Sequence, residues 1–494
     1  MTAPRLSDAA LAGLPVSVAK PAYGRAQVKT GIVHLGIGAF HRAHMAVCTE
    51  HALAAGDLRW GILGASLRSP DTRDALNPQD GLYTVAVKGP DGTRLQTVGA
   101  IAKVLVAPED PEALIAAMAA PDVRIVSLTV TEKGYCHDPA TRRLKEDHAD
   151  VVHDLANPHA PRSAPGFIVA ALHRRRAAGV PAFTVLSCDN LPSNGKTVRN
   201  VVTRLAALRD AAFGRWVEEH VAFPCTMVDR IVPATTDADR AAVAAALGVT
   251  DAWPVTAEPF TQWVIEDAFP MGRPDWAAAG AVFSAEVEAY EAMKLRLLNG
   301  AHSTLAYLGF LAGRETVADA MKDEGLARLV RGLMDEEVTP TLAVPEGADL
   351  DAYKDSLIER FRNPELRHRT WQIAMDGTQK LPQRLLGTAR DRLAAGGAID
   401  RIALGVAAWM RYVTGTDETG APIDVRDPLA DELKRLTAAA GRDPERIVAA
   451  LAGIEQVFGT DLPKDPRFTG PVTAALRSLF EKGAQETVRI AARL

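Results

Sequence analysis

The sequence has 494 residues, of which 47% are apolar and 24% are charged, which is enough for two or three domains with buried cores. Its formal net charge is -5 and its pI is near 6.2. Acidic residues outnumber lysine and arginine, and the basic residues form no long run. These values argue against a nucleic-acid-binding protein.

The cysteines and the apolar runs indicate the class of protein. The four cysteines are widely spaced and form no C-x-x-C pair, which is typical of reduced cytoplasmic thiols rather than of a disulfide scaffold or a zinc site. The first residues lack a basic segment followed by an apolar one, so they do not resemble a signal peptide. No apolar run approaches the roughly 18 residues that a membrane span requires. We therefore predict a cytoplasmic protein without a membrane partner.

The first part of the chain alternates strand-like and helix-like segments. Helical patterns at 112–120 and 164–179 lie between compact apolar runs that are rich in β-branched residues. This alternation predicts a parallel sheet with helices on both faces, that is, a doubly wound α/β domain. The predicted strands lie within residues 30–38, 60–67, 123–131 and 181–190.

The pattern changes after residue 284, where helical periodicity predominates. We predict two domains, residues 1–284 and 285–494, of which the second is mostly helical. Residues 340–349 and 415–428 are predicted loops because of their Gly, Pro and Asp content. The predicted helices are 285–312, 316–337, 350–362, 383–396, 398–414, 428–440 and 471–491.

A glycine pair follows the first predicted strand. In "IVHLGIGAFHRAH" (32–44), the chain turns at Gly36 and Gly38 and enters a helix. In a dinucleotide-binding fold the first glycine permits a tight turn, the second lets the backbone approach the pyrophosphate, and the helix N-terminus faces the negative charge. His41 occupies the third position of G-x-G-x-x-G, so this fingerprint is incomplete. The alternative is a glycine turn that only packs a helix on a sheet.

The acid expected to bind the cofactor ribose is Asp71, although it lies later than the usual offset of about 20 residues. Arg68 and Ser69 are near enough to accommodate a 2′-phosphate, but we favour NAD. His41 and His44 have a spacing that metal ligands can have, yet no third ligand of matching type is near them in sequence. Packing is therefore the favoured interpretation of both histidines, and no metal is predicted.

Polar residues also follow two later strands. "SCDNLPSNG" (187–195) and "TEKGYC" (131–136) lie where the carboxyl-end loops of an α/β sheet bind ligands, although Asp and Asn are also common turn residues. Asp229 and Arg230 lie in an otherwise apolar stretch, which indicates a paired charge or the wall of a site.

The segment "EAMKLRLLNGAHSTLAYLG" (291–309) carries Lys294, Asn299 and His302 within an apolar helical run. At about 100° per residue, Asn299 lies roughly 140° and His302 roughly 80° around the helix from Lys294. The three side chains can therefore face the same cleft. The alternative is a solvated lysine, a helix-interior asparagine and a core histidine.

Six motifs together resemble one family. "GIGAFHRAHMAV", "SLTVTEKGY", "SCDNLPSNG", "MVDRIVPAT", "EPFTQWVIED" and "KLRLLNGAHS" occur in the order and at the spacing of the polyol-specific long-chain dehydrogenases, the family of mannitol 2-dehydrogenase and fructuronate reductase. The resemblance covers nearly the whole chain. It implies an N-terminal Rossmann domain, a largely helical C-terminal domain, NAD as the cofactor, and a lysine acid/base that works without a metal.

The resemblance also implies roles for individual residues. Lys294 would be the general acid/base, Asn299 and Asn190 would hold the substrate oxygen, and His302 would orient it. An alcohol dehydrogenase base of this type needs a pKa below the value of about 10.4 for a free lysine, which a desolvated cleft beside a nicotinamide cation favours. The implied residues for proton passage are Glu132 and Glu291, and those for cofactor binding are Gly36, Gly38, Phe40 and Asp71.

Within the family, "NPELRHRTWQIAMDGTQKLPQRLL" (363–386) resembles the fructuronate reductase branch. Gln372 occupies a substrate-arginine position of the mannitol branch, whereas Lys380 matches a substrate-side lysine of both branches. A uronate carboxylate is best bound by a fixed cation. The alternative is that these cations form salt bridges with Glu365 or Asp376. The candidate cations are Arg367, His368, Arg369, Lys380 and Arg384, and the predicted substrate-binding residues are Asp229, Gln372, Lys380 and Arg369.

The resemblance therefore predicts an NAD-dependent fructuronate reductase that interconverts D-fructuronate and D-mannonate. The alternatives are a mannitol or other hexitol 2-dehydrogenase and, from another class, a catalytically inactive nucleotide-binding regulatory protein. The expected partner is a small sugar acid or polyol, and the expected assembly is a monomer or a small homo-oligomer.

Overall fold

The computed structural model describes residues 4–138 and 141–492. The chain divides into two compact units between Glu288 and Ala289, which we call the N-terminal unit and the C-terminal unit. Within the described residues, no helix is both long enough and apolar enough to cross a bilayer.

The strands described in the N-terminal unit form one large and two small sheets. They are β1 (Thr30–Leu35), β2 (Gly61–Ser66), β3 (Tyr83–Gly89), β4 (Gly92–Val98), β5 (Ile101–Val106), β6 (Ile125–Leu128), β7 (Thr184–Ser187), β8 (Thr226–Asp229), β9 (Val255–Ala257), β10 (Gln262–Ile265) and β11 (Val282–Phe283). The large sheet is parallel and has the order β5-β2-β1-β6-β7. The two small sheets have the orders β11-β10-β8 and β4-β3-β9.

Both faces of the large sheet are buried. Val126 and Val185 belong to one apolar core, whereas their chain neighbours Ile125 and Leu186 belong to a second core. Because successive side chains of a strand point to opposite faces, the two cores lie on opposite sides of the sheet. The helices of this unit are α1 (Ala39–Ala43), α2 (Met45–Ala54), α3 (Asp71–Leu76), α4 (Pro111–Ala119), α5 (Ala149–Ala156), α6 (Ala164–Ala177), α7 (Asn194–Arg209), α8 (Ala211–His220) and α9 (Asp237–Leu247).

The order of the large sheet reverses at β1. The chain runs outward from β1 to β2 and β5, then returns to β6 on the other side of β1 and continues to β7. The loops that follow β1 and β6 therefore diverge and leave a crevice at the carboxyl ends of the strands, where such sheets bind ligands. The predicted doubly wound α/β fold is confirmed, and each of the four predicted strands is present. Strand β5 and the β3–β4 hairpin were not predicted.

The C-terminal unit is helical, as predicted. Its central helix, α18 (Asp400–Tyr412), is buried over most of its length and packs against α11 (Gly300–Leu311) and α22 (Pro466–Ala491). Helix α10 (Val287–Met293) includes the unit boundary. The remaining helices are α12 (Val317–Ala320), α13 (Glu324–Gly332), α14 (Leu350–Arg362), α15 (Thr370–Ala374), α16 (Gly377–Leu381), α17 (Gly387–Ala394), α19 (Ala430–Ala440), α20 (Pro444–Ala452) and α21 (Glu455–Phe458).

Several helices that were predicted as continuous are interrupted. The predicted helix 471–491 is broken at Gly483, which has φ 77° and ψ 170°. The predicted helix 285–312 contains a π-helical turn at Lys294–Asn299 between α10 and α11. The predicted helix 316–337 is divided because the Asp323 carboxylate accepts hydrogen bonds from the N–H groups of Gly325 and Leu326 and so starts a new helix. It ends in a second π-helical turn at Leu333–Val338, and a third lies at Pro382–Leu386.

Candidate active site

The π-helical turn places the predicted catalytic lysine at its first position. Lys294 is only 4% exposed, and the N–H of Gly300 donates to the carbonyl oxygen of Leu295, which is the i→i+5 bond of a π-turn. Such a turn closes with one residue more than an α-turn, and π-turns inside α-helices are frequent at functional sites. Asn299, five residues after Lys294, therefore lies one turn further along nearly the same face of the helix.

Two polar atoms on this helix are buried without a protein partner. Among the described residues, no donor reaches Asn299 Oδ1 and no partner reaches His302 Nε2. Buried polar atoms are nearly always hydrogen-bonded, so such atoms call for an explanation, and a bound ligand is one. The pair therefore has the property expected of groups that hold a polar substrate.

His302 is held in its neutral form. Burial lowers its pKa well below the ordinary value, and the nearby charges of His368, Arg384, Arg360 and Lys380 lower it further. The ring stacks on Phe361 with centroids 5.1 Å apart and meets His368 edge to face at 4.7 Å. A neutral imidazole can accept one hydrogen bond and donate another, so His302 can orient a hydroxyl or carbonyl oxygen.

The third π-turn, Pro382–Leu386, packs directly on the helix that follows Lys294. A Cβ on Gly300 would lie 2.8 Å from the carbonyl oxygen of Arg384, so the glycine permits the close approach. The Arg384 guanidinium donates to the hydroxyl of Ser303, with Nη1 and Oγ 3.1 Å apart. Arg384 is thus fixed one residue away from His302 along α11.

The other predicted substrate residues differ in their surroundings. Lys380 Nζ donates to the carbonyl oxygens of Ile373 at 3.1 Å and Met375 at 2.5 Å, so it also holds its own loop. Arg369 forms an exposed ion pair with Glu315 at 2.9 Å, a carboxylate other than the two considered from the sequence. Gln372 lies half-buried on α15.

The glycine turn after β1 lies at the point where the sheet reverses. Gly36 has φ 91°, and a Cβ there would be 2.1 Å from the carbonyl oxygen of Thr129, so only glycine fits. A Cβ on Gly38 would meet nothing within 4 Å, which leaves open space in front of the backbone. Both properties are those required of a turn that accommodates a pyrophosphate. Phe40 follows, half-buried, with its ring 5.0 Å from that of His44.

Asp71 lies beyond the end of β2, where a ribose-binding acid is expected. It is exposed at the first position of α3 and accepts a hydrogen bond from Ser69 Oγ at 3.0 Å. Its remaining acceptor capacity faces solvent, so its predicted role stays open.

His41 and His44 are both buried and both contact neighbouring groups of the protein. His41 stacks on His34 with centroids 3.4 Å apart, and His44 Nε2 lies 3.1 Å from the carbonyl oxygen of Gln262. A separate group of possible metal ligands, in which each residue offers one atom within 4.8 Å of the others, consists of Cys136, His148 and Asp150.

The loops after β6 and β7 are tied together by a residue that the sequence analysis did not single out. The Asp189 carboxylate accepts hydrogen bonds from the N–H groups of Val130 at 2.9 Å and Thr131 at 3.1 Å. The neighbouring residues, Glu132 and Asn190, are the predicted functional ones, and both are exposed. The sequence feature that could have indicated a role for Asp189 is its position next to Asn190, directly after a predicted strand.

The two remaining predicted residues lie on regular elements. Asp229 ends β8, is 4% exposed, and is paired in register with Gln262 of β10. Glu291 lies half-buried on α10, less than one turn before Lys294.

Comparison with known proteins identifies the family. Residues 30–278 match the mannitol dehydrogenase Rossmann domain, and residues 286–480 match the mannitol dehydrogenase C-terminal domain. The chain is 50% identical to D-mannonate oxidoreductase of Escherichia coli over 95% of this chain and 97% of that protein. It is 48% identical to the uncharacterized oxidoreductase YeiQ of the same organism over 96% of this chain and 97% of that protein.

A solved structure shows the same fold. The mannitol 2-dehydrogenase of Pseudomonas fluorescens, in a ternary complex with NAD and D-mannitol, superposes with a TM-score of 0.92 at 41% identity, covering 99% of both chains. The family resemblance read from the six motifs is therefore confirmed, and the chain belongs to the mannitol dehydrogenase family.

Proposed function

We propose that this chain interconverts D-fructuronate and D-mannonate by hydride transfer with NAD. The observation that carries the proposal is the group of cations near His302, where Arg384, Arg360 and Lys380 all lower the pKa of its imidazole. The 50% identity to D-mannonate oxidoreductase supports the same substrate, although YeiQ, at 48%, has no assigned substrate.

As a member of this family, the chain is an NAD-dependent oxidoreductase that acts on CH–OH groups. NAD supplies the hydride acceptor for alcohol oxidation and, reduced, the hydride donor for the reverse reaction. Gly36 and Gly38 fit the cofactor because one makes the tight turn and the other leaves open space beside the backbone. Asp71 and Phe40 are the further residues that we propose to hold it.

The proton chemistry is assigned to the catalytic helix. Lys294 accepts the hydroxyl proton during oxidation and, as the ammonium, returns a proton to the forming alkoxide during reduction. Asn299 and Asn190 are the proposed amide donors to the substrate oxygen, which stabilise an alkoxide without adding charge. His302, being neutral, orients that oxygen, and Glu132 and Glu291 are the proposed route for the proton to and from solvent.

The cations distinguish an acid substrate from a neutral one. D-mannonate carries a carboxylate at neutral pH, whereas D-mannitol has no charge. Cations grouped around a buried residue such as His302 favour the anion, and an arginine can bind a carboxylate through two parallel hydrogen bonds. Arg384 is the first candidate because its side chain is fixed on Ser303. Arg369 is a weaker candidate than its sequence position indicated, since it is paired with Glu315.

The test is kcat/KM for D-mannonate and D-mannitol in the wild type, Arg384→Met and the matched control Arg369→Met. The wild type is expected to prefer mannonate, and Arg384→Met is expected to narrow the preference by roughly ten- to a hundredfold, the value of a charged hydrogen bond. Arg369→Met should retain the preference.

The second candidate is a mannitol 2-dehydrogenase. It is favoured by the structural similarity to the Pseudomonas fluorescens enzyme that holds D-mannitol. A wild-type preference for mannitol would establish this candidate and exclude the mannonate proposal. Loss of mannonate preference in Arg369→Met but not in Arg384→Met would instead place the carboxylate at the sequence-predicted arginine.

A further inference from the structure

The turn that precedes Glu132 is strained. Thr131 has φ 64° and ψ 168°, a region of backbone conformation that is essentially confined to glycine. Threonine is β-branched, so its side chain is crowded there more than most. Such a conformation persists only when its surroundings hold it, and strained residues of this kind cluster at functional sites.

The Asp189 carboxylate is the group that holds this turn. Its Oδ1 accepts from the N–H of Thr131 at 3.1 Å, and its Oδ2 accepts from the N–H of Val130 at 2.9 Å and from the hydroxyl of Tyr135 at 2.6 Å. One donor precedes the strained Thr131 in the chain, one is Thr131 itself, and the third, Tyr135, follows it. Asp189 therefore spans the turn from the neighbouring strand end.

Asp189 is itself anchored at the end of β7. Its carbonyl oxygen accepts from Nδ2 of Asn194 at 3.1 Å, and the same amide reaches the carbonyl oxygens of Ser187 and Thr226, each at 3.0 Å. Asn194 is fully buried at the start of α7. The loop that carries Asn190 thus has a rigid base, and the carboxylate transmits that position to the turn that carries Glu132.

We propose that Asp189 is a positioning residue that fixes Glu132 and Asn190 relative to each other, and that it does so only as a carboxylate. The proposal rests on the functional roles proposed above for these two residues. A carboxylate offers acceptors in all directions, whereas the groups that surround it are donors. A protonated acid or an amide would turn a hydrogen toward one of these donors and release part of the turn.

The Asp189 carboxylate takes up a proton within a pH range that enzyme assays can reach. Burial raises the pKa of Asp189 to about 6, although the hydrogen bonds from Tyr135, Val130 and Thr131 oppose the rise. The other titratable groups that face it are Glu132, whose charge raises the pKa further, and the buried thiol of Cys188. Below about pH 6 the carboxyl is protonated, so the turn is released and turnover should fall.

The decisive variant is Tyr135→Phe, which removes one hydrogen bond to the carboxylate and leaves the acid in place. Because that bond lowers the pKa of Asp189, its loss should move the acid limb of the kcat profile to higher pH. The matched control is Ser187→Ala, which removes the other partner of the tyrosine hydroxyl, 2.7 Å away, and keeps all three donors to the Asp189 carboxylate. Ser187 Oγ also accepts from the main-chain N–H of Asp189 at 3.4 Å, so amide exchange at Val130 and Thr131 is measured in this variant too. Its acid limb should stay where it is in the wild type.

Asp189→Asn is the second variant. It should lower kcat roughly tenfold or more, leave NAD affinity near that of the wild type, and remove the acid limb. Amide hydrogen exchange at Val130 and Thr131 should be faster than in the wild type, and this readout needs no substrate. An acid limb at the wild-type pH in both Tyr135→Phe and Asp189→Asn, with unchanged exchange, would overturn the proposal.

The kinetic experiment follows reduction of the keto compound that corresponds to the alcohol the wild type oxidises fastest. In that direction Lys294 acts as the protonated acid and limits the rate only at high pH, so the acid limb is assigned to Asp189. A wild-type preference for mannitol would exclude the mannonate proposal. The positioning role of Asp189 would still be tested by the pH profiles of the variants. Should Asp189→Asn fail to fold, the comparison of Tyr135→Phe with Ser187→Ala still decides the outcome.

Discussion

The backbone of Arg384 lies against Gly300, where an added Cβ would come within 2.8 Å of the Arg384 carbonyl oxygen. Each residue belongs to, or directly follows, a π-turn: Gly300 follows Lys294–Asn299 and Arg384 lies within Pro382–Leu386. Because Gly300 has no side chain, the turn that carries Lys294 and the turn that carries Arg384, the proposed carboxylate-binding residue, can lie this close together.

Gly300→Ala should therefore separate the two turns. We expect kcat/KM to fall at least tenfold, because displacements of about 1 Å at a site cost up to a hundredfold in rate. The helical conformation of Gly300 itself suits alanine, so the loss would come from the contact and not from the backbone. The measurement is steady-state kinetics together with circular dichroism.

Gly470→Ala is the matched control for this variant. Gly470 is also a helical glycine, within α22, but a Cβ there would meet nothing within 4 Å. Alanine should leave activity unchanged. Because Pro471 follows and its ring crowds a Cβ on a preceding helical residue, the gain in helix propensity is offset and no stabilisation is expected. Equal losses of activity in both variants would contradict the contact argument.

The sequence was sufficient for the fold class because buried parallel strands and amphipathic helices leave simple periodic patterns. Strands β1, β2, β6 and β7 are nearly continuous apolar runs, and all four were predicted. The β3–β4 hairpin was missed because its exposed half, β4, is largely polar. The π-turns were missed because an extra residue in one turn shifts the apolar pattern too little to be separated from an α-helix.

For the candidate site, residue types were predictable but partners were not. Lys294, Asn299 and His302 lie within nine residues of one another, so their closeness was predictable from the sequence. The angle of about 140° between Lys294 and Asn299 that α-helical periodicity predicts is not kept, because the π-turn lies between them. Arg369 and Arg384 are equivalent by sequence, yet one is paired with Glu315 and the other is fixed on Ser303. Such pairings join residues that are distant in the chain, and only the folded structure selects between them.

Lys294→Ala should abolish turnover while leaving NAD affinity nearly intact. The reason is that the cofactor is assigned to the Gly36–Gly38 turn, which belongs to the other unit, whereas Lys294 has a proton-transfer role. NAD affinity of the variant is measured by fluorescence titration, and its turnover is measured by a steady-state assay. If affinity falls with activity, the lysine supports the structure and is not the acid/base.

Arg175→Met should strongly destabilise the N-terminal unit. The fully buried guanidinium donates to the carbonyl oxygens of Pro181 at 2.6 Å, Ala120 at 2.8 Å and Val123 at 3.0 Å. Methionine would remove the guanidinium donor from all three carbonyls, of which that of Ala120 keeps the N–H of Val123. The loss costs about 3 kcal/mol or more. Urea denaturation followed by tryptophan fluorescence measures the loss.

Arg174→Met provides the comparison, since this neighbour forms an exposed ion pair with Glu112. Exposed ion pairs contribute about 1 kcal/mol or less to stability. The urea midpoint of Arg174→Met should therefore remain close to that of the wild type. Similar destabilisation by the two variants would show that the carbonyl contacts of Arg175 contribute little.

The stacked pair of His34 and His41 should make the N-terminal unit sensitive to acid. Burial lowers the pKa of His34 to about 3 from an ordinary 6.5, and it lowers that of His41 well below the same value. The unfolded chain therefore takes up protons at both residues as the pH falls below about 6.5, while the folded protein does not. Their contribution to stability is complete above pH 6.5 and is lost progressively as the pH falls toward 3.

His41→Phe should weaken this dependence. Among the described residues, neither ring nitrogen of His41 has a hydrogen-bond partner, so phenylalanine retains the stack on His34 and loses no bond. At pH 5 one such histidine opposes folding by about 2 kcal/mol, from 1.36 kcal/mol per pKa unit. The fall in unfolding midpoint between pH 8 and pH 5 should thus be smaller in His41→Phe than in the wild type. His51 lies on the exposed side of α2, so the unfolding midpoint of His51→Phe should fall between pH 8 and pH 5 by as much as that of the wild type. If the midpoint of His41→Phe falls equally far, the acid sensitivity comes from other groups.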